Sequence, residues 1–307
     1  MKKYSLFIIT TIIVVLSSCM ETKSSDTAVF TSEIEAEKTT TDSSKLRPLS
    51  NAFKKYWYQA TAEITSYKLT QSRYGELREG TAVTIFVTED FVPKKQVKAD
   101  RLNVSNIAVL KLNKTKNFNT GIYPYSIMTS VFNPVKTDSH ALKISNSIQE
   151  WCGQTYMQLN NRDAFEITGH SYFESEGDES IMLSKTWMED ELFNIIRIEP
   201  ETLPIGTIKV LPAFETLRLN HKDIKAYTAD ASQEKKEGIT IYTIAYKNIG
   251  RHLQIHFTTK FPHTIEKWEQ THANGQITRA VKIKRMQSAY WNQNSNIYLA
   301  MRDSLGL

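Results

Sequence analysis

Hydrophobic residues along most of this chain alternate with polar ones or form short β-branched runs, which is the pattern of β-strands. Such runs begin at Thr61 and recur at short intervals as far as Lys284, without alternating helices. Near the C-terminus, two runs flank Ala273-Asn274-Gly275, and Asn-Gly favours the positive φ angles of a type I′ hairpin turn. The pattern predicts a mainly β fold, either an antiparallel curved sheet, a half-barrel or a sandwich.

Two segments have helical spacing instead. The first, residues 186–197, opens with a capping-box spacing and places three apolar residues on one face: Met188, Leu192 and Ile195. The second, residues 294–305, has apolar residues four apart and stops at Gly306. We therefore expect one or two short helices, and the first is a candidate plug for the concave side of the sheet.

The N-terminus follows a different pattern. Lys2 and Lys3 precede an apolar run from Leu6 to Leu16, which is short for a membrane-spanning helix and is typical of a secretory signal. The following Leu-Ser-Ser-Cys resembles the bacterial lipobox, in which Cys19 is acylated and becomes the mature N-terminus. The alternative is an ordinary secretory cleavage site with an incidental cysteine. We expect a signal peptide at residues 1–18 and attachment to a membrane through lipidated Cys19.

The rest of the chain divides by composition. Residues 19–50 comprise Cys19 and a segment rich in Ser, Thr, Glu and Lys without apolar periodicity, which predicts a disordered tether. Residues 51–307 form the predicted β-rich body, with a possible subdivision near residue 200. Met20 follows the cysteine in place of an inner-membrane retention aspartate, and no dense acidic run follows it. We expect an outer-membrane lipoprotein that faces the periplasm.

Composition and motifs exclude several classes of function. The chain is 40% hydrophobic and 23% charged, with a net charge of +5, and no Lys/Arg-rich block suggests nucleic acid as a partner. It contains no phosphate-binding glycine loop, no His-Glu-x-x-His, no Cys-x-x-Cys and no Gly-x-Ser-x-Gly motif. The sequence therefore assigns no catalytic residue, metal or cofactor, and it favours a protein that is not an enzyme.

Cys152 is one weak candidate for chemistry. With Cys19 acylated it has no disulfide partner, and its neighbours Glu150 and Trp151 raise the pKa of a thiol. We expect a buried, unreactive cysteine; the alternative is a nucleophile activated by a distant histidine.

A group of histidines is the other weak candidate. On a strand, His252 and His256 share a polar face, opposite Leu253 and Ile255, and His263 follows nearby. Two imidazoles on one face could begin a metal site, but no carboxylate lies at ligand spacing. A solvated polar face is the favoured interpretation.

Several segments together resemble an exported lipoprotein family of Bacteroidota. They are residues 67–76, 121–126, 149–154 and 261–269. Members of this family are often labelled "septum formation inhibitor Maf", but the Maf pyrophosphatase motif Ser-x-Ser-Pro-Arg-Arg is missing here. The resemblance therefore implies an envelope lipoprotein and carries no catalytic residue over. The predicted architecture is also similar to periplasmic lipoprotein-carrier half-barrels, a likeness of shape that does not establish function.

These observations leave three hypotheses about function. The first is a non-enzymatic envelope lipoprotein that binds an apolar ligand, such as a lipid, or a partner protein; it draws on the 14 Tyr, 13 Phe and 5 Trp residues. The second is an envelope hydrolase that uses Cys152 or the histidines. The third is a structural assembly factor, which would expose a large apolar patch. The oligomeric state stays open.

Overall fold

A computed structural model describes residues 45–307, which contain sixteen strands. The first nine are β1 (Ala62–Arg73), β2 (Glu76–Val92), β3 (Val97–Lys98), β4 (Ile107–Thr120), β5 (Tyr123–Pro134), β6 (Lys143–Glu150), β7 (Gly153–Asn161), β8 (Phe165–Ser171) and β9 (Glu179–Leu183). The others are β10 (Trp187–Met188), β11 (Gly206–Leu211), β12 (Tyr227–Lys236), β13 (Ile239–Tyr246), β14 (Arg251–Thr258), β15 (Ile265–Thr271) and β16 (Ile277–Ser288). Cys19 lies outside the described residues.

All sixteen strands belong to one open, curved sheet, so the predicted mainly β, antiparallel fold is confirmed. Neighbours in the chain are neighbours in the sheet from β4 to β9 and from β10 to β16, while the last strand, β16, pairs with the first, β1. The short β3 pairs only with β2, and β10 pairs in parallel with β11. Strands before and after residue 200 thus share one sheet, whose ends are β9 and β10.

Three short helices accompany the sheet: α1 (Asn51–Trp57), α2 (Leu192–Ile198) and α3 (Phe214–Leu219). Single 3-10 turns cover Glu189–Glu191, Pro200–Thr202 and Tyr290–Asn292. Near the C-terminus, the predicted helix 294–305 is two 3-10 segments, Asn296–Met301 and Asp303–Leu305. No helix within residues 45–307 has the length and hydrophobicity needed to cross a membrane.

The predicted helix 186–197 begins later than its spacing suggested. Trp187 and Met188 form β10, and the helical turn is closed by Glu191, whose Oε1 accepts the Met188 backbone N–H at 3.1 Å. Thr186 does not cap the helix, because its hydroxyl donates to the Lys209 carbonyl at 2.7 Å. Pairing with β11 thus outcompetes the first predicted helical turn.

The core lies on the concave side of the sheet, around α2. Along β14, buried residues alternate with more exposed ones, and Leu253 and Ile255 lie on the face opposite the histidines as predicted; with Phe257 they point inward. The Phe193 ring of α2 packs edge-on against Trp268 of β15, with ring centres 5.5 Å apart. Alternating apolar residues on the strands and the inner helix therefore bury one continuous hydrophobic cluster.

The body begins before the predicted boundary at residue 51. Arg47 contacts the Glu199 carboxylate at 2.5 Å and donates to the Thr137 carbonyl at 2.7 Å. Ser50 then caps α1 by accepting the Phe53 N–H at 3.0 Å, and α1 buries Phe53 and Trp57. Residues 45–50 are thereby in contact with the body.

Candidate functional site

The concave side of the sheet is occupied mainly by residues 189–198, which comprise one 3-10 turn and α2. Asn194 donates to the Leu110 carbonyl of β4 at 2.8 Å and is fully buried. A cavity of only about 20 Å³ remains where this segment faces β14 and β15. The predicted plug helix therefore fills the space that a large apolar ligand would need.

Two bidentate ion pairs join this inner segment to the sheet. Arg197 of α2 contacts both oxygens of Glu63 on β1 at 2.5 and 2.6 Å, and both side chains are about 1% exposed or less. Arg251 on β14 binds Glu189 in the same way, with both distances at 2.6 Å. Burial raises the pKa of Glu63 and Glu189, but the paired guanidinium outweighs burial and holds each pKa below its ordinary value.

A second group of charges surrounds the first turn of α3. Lys116 Nζ lies 2.6 Å from Glu215 Oε1, and its charge outweighs burial and lowers the pKa of Glu215. Asp190 accepts the Phe214 N–H at 3.0 Å, while its distance to Lys114 is 3.8 Å. Burial accordingly raises the pKa of Asp190. These charged groups bind one another in the interior and leave little room for a ligand.

A cleft of about 220 Å³ lies between the inner faces of β7 and β8 and residues 217–224, and we call it the β8 cleft. Its apolar lining is Met157, Leu217 and Ile224. Gly169 of β8 lies among them, and a Cβ placed on it would touch only the Glu179 Cβ, at 3.9 Å. A glycine inside a strand commonly marks a place where a ligand or another backbone approaches closely.

Polar groups stand at one side of the β8 cleft. Arg218, at the end of α3, lies 4.5 Å from the centre of the Phe173 ring and 3.0 Å from Glu176 Oε1. Glu176 also accepts from the Ser171 hydroxyl at 2.8 Å and lies 2.9 Å from His221 Nδ1. The cleft therefore combines an apolar floor with a guanidinium and a carboxylate at its side.

A second cleft, of about 280 Å³, lies between the β1–β2 turn and residues 270–274. Its polar side chains mostly bond to one another: Gln71 Nε2 donates to Thr278 Oγ1 at 3.2 Å, and His272 Nε2 lies 2.9 Å from the same hydroxyl. Burial and two nearby cations, Arg251 and Lys116, lower the pKa of His272 to about 4. This lining suits a small apolar ligand less well than the β8 cleft does.

The prediction that Cys152 is buried is wrong. Cys152 lies in the turn between β6 and β7 and is exposed, because the hairpin turns there and directs the residue to solvent. Its backbone N–H donates to Glu150 Oε2 at 2.8 Å. Glu150 raises the pKa of the Cys152 thiol, the direction that the sequence predicted.

The three predicted histidines do not converge on a metal site. His252 is exposed and His256 half-buried on the outer face of β14, while His263 lies in the β14–β15 turn, with its ring centre 5.9 Å from that of Phe261. His256 Nε2 is 3.6 Å from Glu269, and burial lowers the pKa values of His256 and His263. Residues 45–307 contain no cluster of three or more His, Cys, Asp or Glu that could hold a metal ion.

Sequence reasoning missed Gly169 and Arg218. The glycine was visible as an interruption in a predicted strand, and that was a usable signal. Arg218 carried no signal, because its role depends on a helix end meeting the β8–β9 turn more than forty residues earlier in the chain.

No protein-family model matches this chain, and no curated protein matches its sequence. Among solved structures, it is similar to a β-barrel-like protein of domain of unknown function DUF1849 from Brucella abortus. The two share 9% sequence identity with a TM-score of 0.46, over 74% of this chain and 98% of the other.

Proposed function

We propose that this protein is a non-enzymatic lipoprotein of the cell envelope that binds a small apolar ligand in the β8 cleft. The observation that carries the proposal is the apolar floor of that cleft, where Gly169 leaves open space between Met157 and Leu217. Ligand sites are typically concave and mainly apolar, with a few polar groups that fix orientation.

The size of the cleft sets the size of the ligand. At about 220 Å³ it exceeds the engineered protein cavity of about 150 Å³ that takes up benzene. It is smaller than the roughly 300–1,000 Å³ of sites for drug-sized molecules. A short acyl chain fits this range, whereas a whole diacyl lipid does not.

Calorimetric titration of the full-length protein with decanol and with decanoate tests this binding. We expect Gly169→Leu to abolish binding, because its side chain projects into the cleft from the inner face of β8. Thr168→Leu is the matched control, since it adds a similar side chain on the opposite face of the same strand. The proposal fails if neither these two probes nor decyl phosphate binds, or if Gly169→Leu binds as the wild type does.

Attachment to the membrane is a separate part of the proposal and depends on Cys19. Only a thiol accepts the diacylglycerol, so Cys19→Ser is expected to release the protein from membranes. Fractionation of cells and labelling with a fatty acid measure this. A serine variant that still fractionates with membranes would exclude lipid anchoring at Cys19. Protease added to intact cells then distinguishes a periplasm-facing body from one on the surface.

A further inference from the structure

Arg218 is the most deeply buried charged side chain that lines the β8 cleft. Its side chain is 10% exposed, compared with 21% for Glu176 and 62% for His221. Two of its nitrogens, Nε and Nη1, are buried and make no hydrogen bond, although Nη1 lies 3.0 Å from Glu176 Oε1. Among residues 45–307, no other side chain has two such atoms.

Buried donors without an acceptor need an explanation, because leaving a charged donor unsatisfied is costly. Glu176 neutralises part of the charge at 3.0 Å, but the orientation leaves Nη1 without a hydrogen bond. The guanidinium is held against the Phe173 ring, so its plane is fixed before any ligand arrives. A planar guanidinium with free N–H groups matches a carboxylate or a phosphate.

We infer that the ligand of the β8 cleft is an amphiphile with a single anionic head group, a carboxylate or a phosphate, which Arg218 binds. The apolar part lies over Met157, Leu217 and Ile224, next to Gly169. This inference rests on the proposed function and adds the chemistry of the head group. Glu176 acts as the internal competitor that neutralises Arg218 until the anion binds.

Titration with three probes of equal chain length tests the inference: decanol, decanoate and decyl phosphate. We expect the wild type to bind at least one anionic probe about tenfold or more tightly than decanol. The better of the two anions identifies the head group. Arg218→Met is expected to remove this preference, and Arg218→Lys to retain part of it, because lysine keeps the charge without the planar fork.

Glu176→Gln gives an outcome that loss of folding cannot imitate. Removal of the competing carboxylate is expected to raise the affinity for the anionic probe, relative to the affinity for decanol, about threefold or more. Equal affinities for decanol and both anions, or an anion preference that Arg218→Met retains, would overturn the inference and leave apolar binding intact. Absence of binding by all three probes would remove the proposed function as well.

Discussion

Arg197 and Glu63 form a hydrogen-bonded ion pair in which both side chains are almost completely buried. Removal of one partner leaves the other charge in the interior, so Arg197→Met is expected to lower the free energy of unfolding by about 3–5 kcal/mol. The double variant Glu63→Leu/Arg197→Met leaves no unpaired charge and is expected to lose less than Arg197→Met alone. Urea denaturation of the two single variants and the double variant measures these differences.

The exposed pair Lys68–Glu79 provides the control for this cycle. Its side chains are 69% and 68% exposed, and its atoms are 3.2 Å apart. Glu79→Gln is expected to change the free energy of unfolding by less than about 1 kcal/mol. A double variant at Glu63 and Arg197 that loses as much as the sum of the two single variants would contradict the description of the buried residues as a coupled pair.

His272 makes stability depend on pH in a defined window. Its pKa falls to about 4 in the folded protein, below the roughly 6.5 of a free imidazole. As the pH falls, the imidazole of the unfolded chain is protonated before that of the folded protein. The stability that comes from burying neutral His272 is therefore fully present above about pH 6.5 and decreases as the pH falls towards about 4. His272→Gln is expected to flatten the stability profile in that window, with exposed His252→Gln as the matched control. A slope that His272→Gln leaves unchanged would exclude this assignment.

Cys152 is exposed, so reagents reach its thiol freely. The neighbouring Glu150 raises the pKa of that thiol and so lowers the fraction of reactive thiolate. We expect the native thiol to be labelled completely but slowly near neutral pH. Glu150→Gln should accelerate labelling about two- to fivefold, because it removes the anion that raises the thiol pKa. Glu166→Gln, near the opposite end of the β7–β8 pair, is the control. Equal labelling rates in the wild type, Glu150→Gln and Glu166→Gln would show that Glu150 has no effect on the thiol.

Gly80 of β2 lies close against the backbone of β4. A Cβ on this glycine would lie 2.2 Å from the Asn117 carbonyl oxygen, so the two backbones would have to separate. Gly80→Ala is expected to destabilise the protein by about 2 kcal/mol or more. Gly169→Ala is the matched strand control, since its nearest new contact lies at 3.9 Å, and thermal unfolding should barely change. Equal melting temperatures for the two variants would refute this steric argument.

The elements that the sequence predicted well are those determined by local pattern. The hairpin predicted around Ala273-Asn274-Gly275 forms, because the strands on both sides alternate as expected. Its turn is not the predicted type I′, since Gly275 has a positive φ of 80° and Asn274 does not. Helix α2 was predicted too long because Trp187 and Met188 pair with β11, a contact that their own spacing does not reveal. Cys152 was misplaced for a related reason, since its exposure follows from the hairpin turn between β6 and β7.

At the scale of the whole molecule, the buried ion pairs could not be predicted from local sequence patterns. Glu63 lies near the start of β1, and its partner Arg197 is 134 residues later in the chain. Only the curvature of the sheet around α2 brings them together, and the same holds for Arg251 with Glu189. A single sequence therefore predicts the curved sheet but not the polar contacts that join α2 to it, nor the Arg218 side of the β8 cleft.

These interior charges predict how the whole protein responds to acid. The pKa values of Glu63, Glu189 and Glu215 lie below the ordinary value, so their stabilisation is complete above about pH 4.3 and is lost as pH falls through the folded-state pKa values. Asp190 has a raised pKa, so its protonation on acidification favours the folded protein. This single group opposes the three glutamates. We expect the protein to unfold cooperatively in acid, which tryptophan fluorescence measures.

Glu189→Gln tests the origin of that transition. At neutral pH the variant should be about 3 kcal/mol less stable than the wild type, because Arg251 keeps a buried charge without its anionic partner. The wild type alone then loses the Glu189 contribution on acidification, so the two free energies of unfolding should converge as the pH falls below about 4.3. Glu166→Gln, on the surface, should follow the wild type throughout. A difference between Glu189→Gln and the wild type that stays constant over this range would show that protonation of Glu189 does not contribute to acid unfolding.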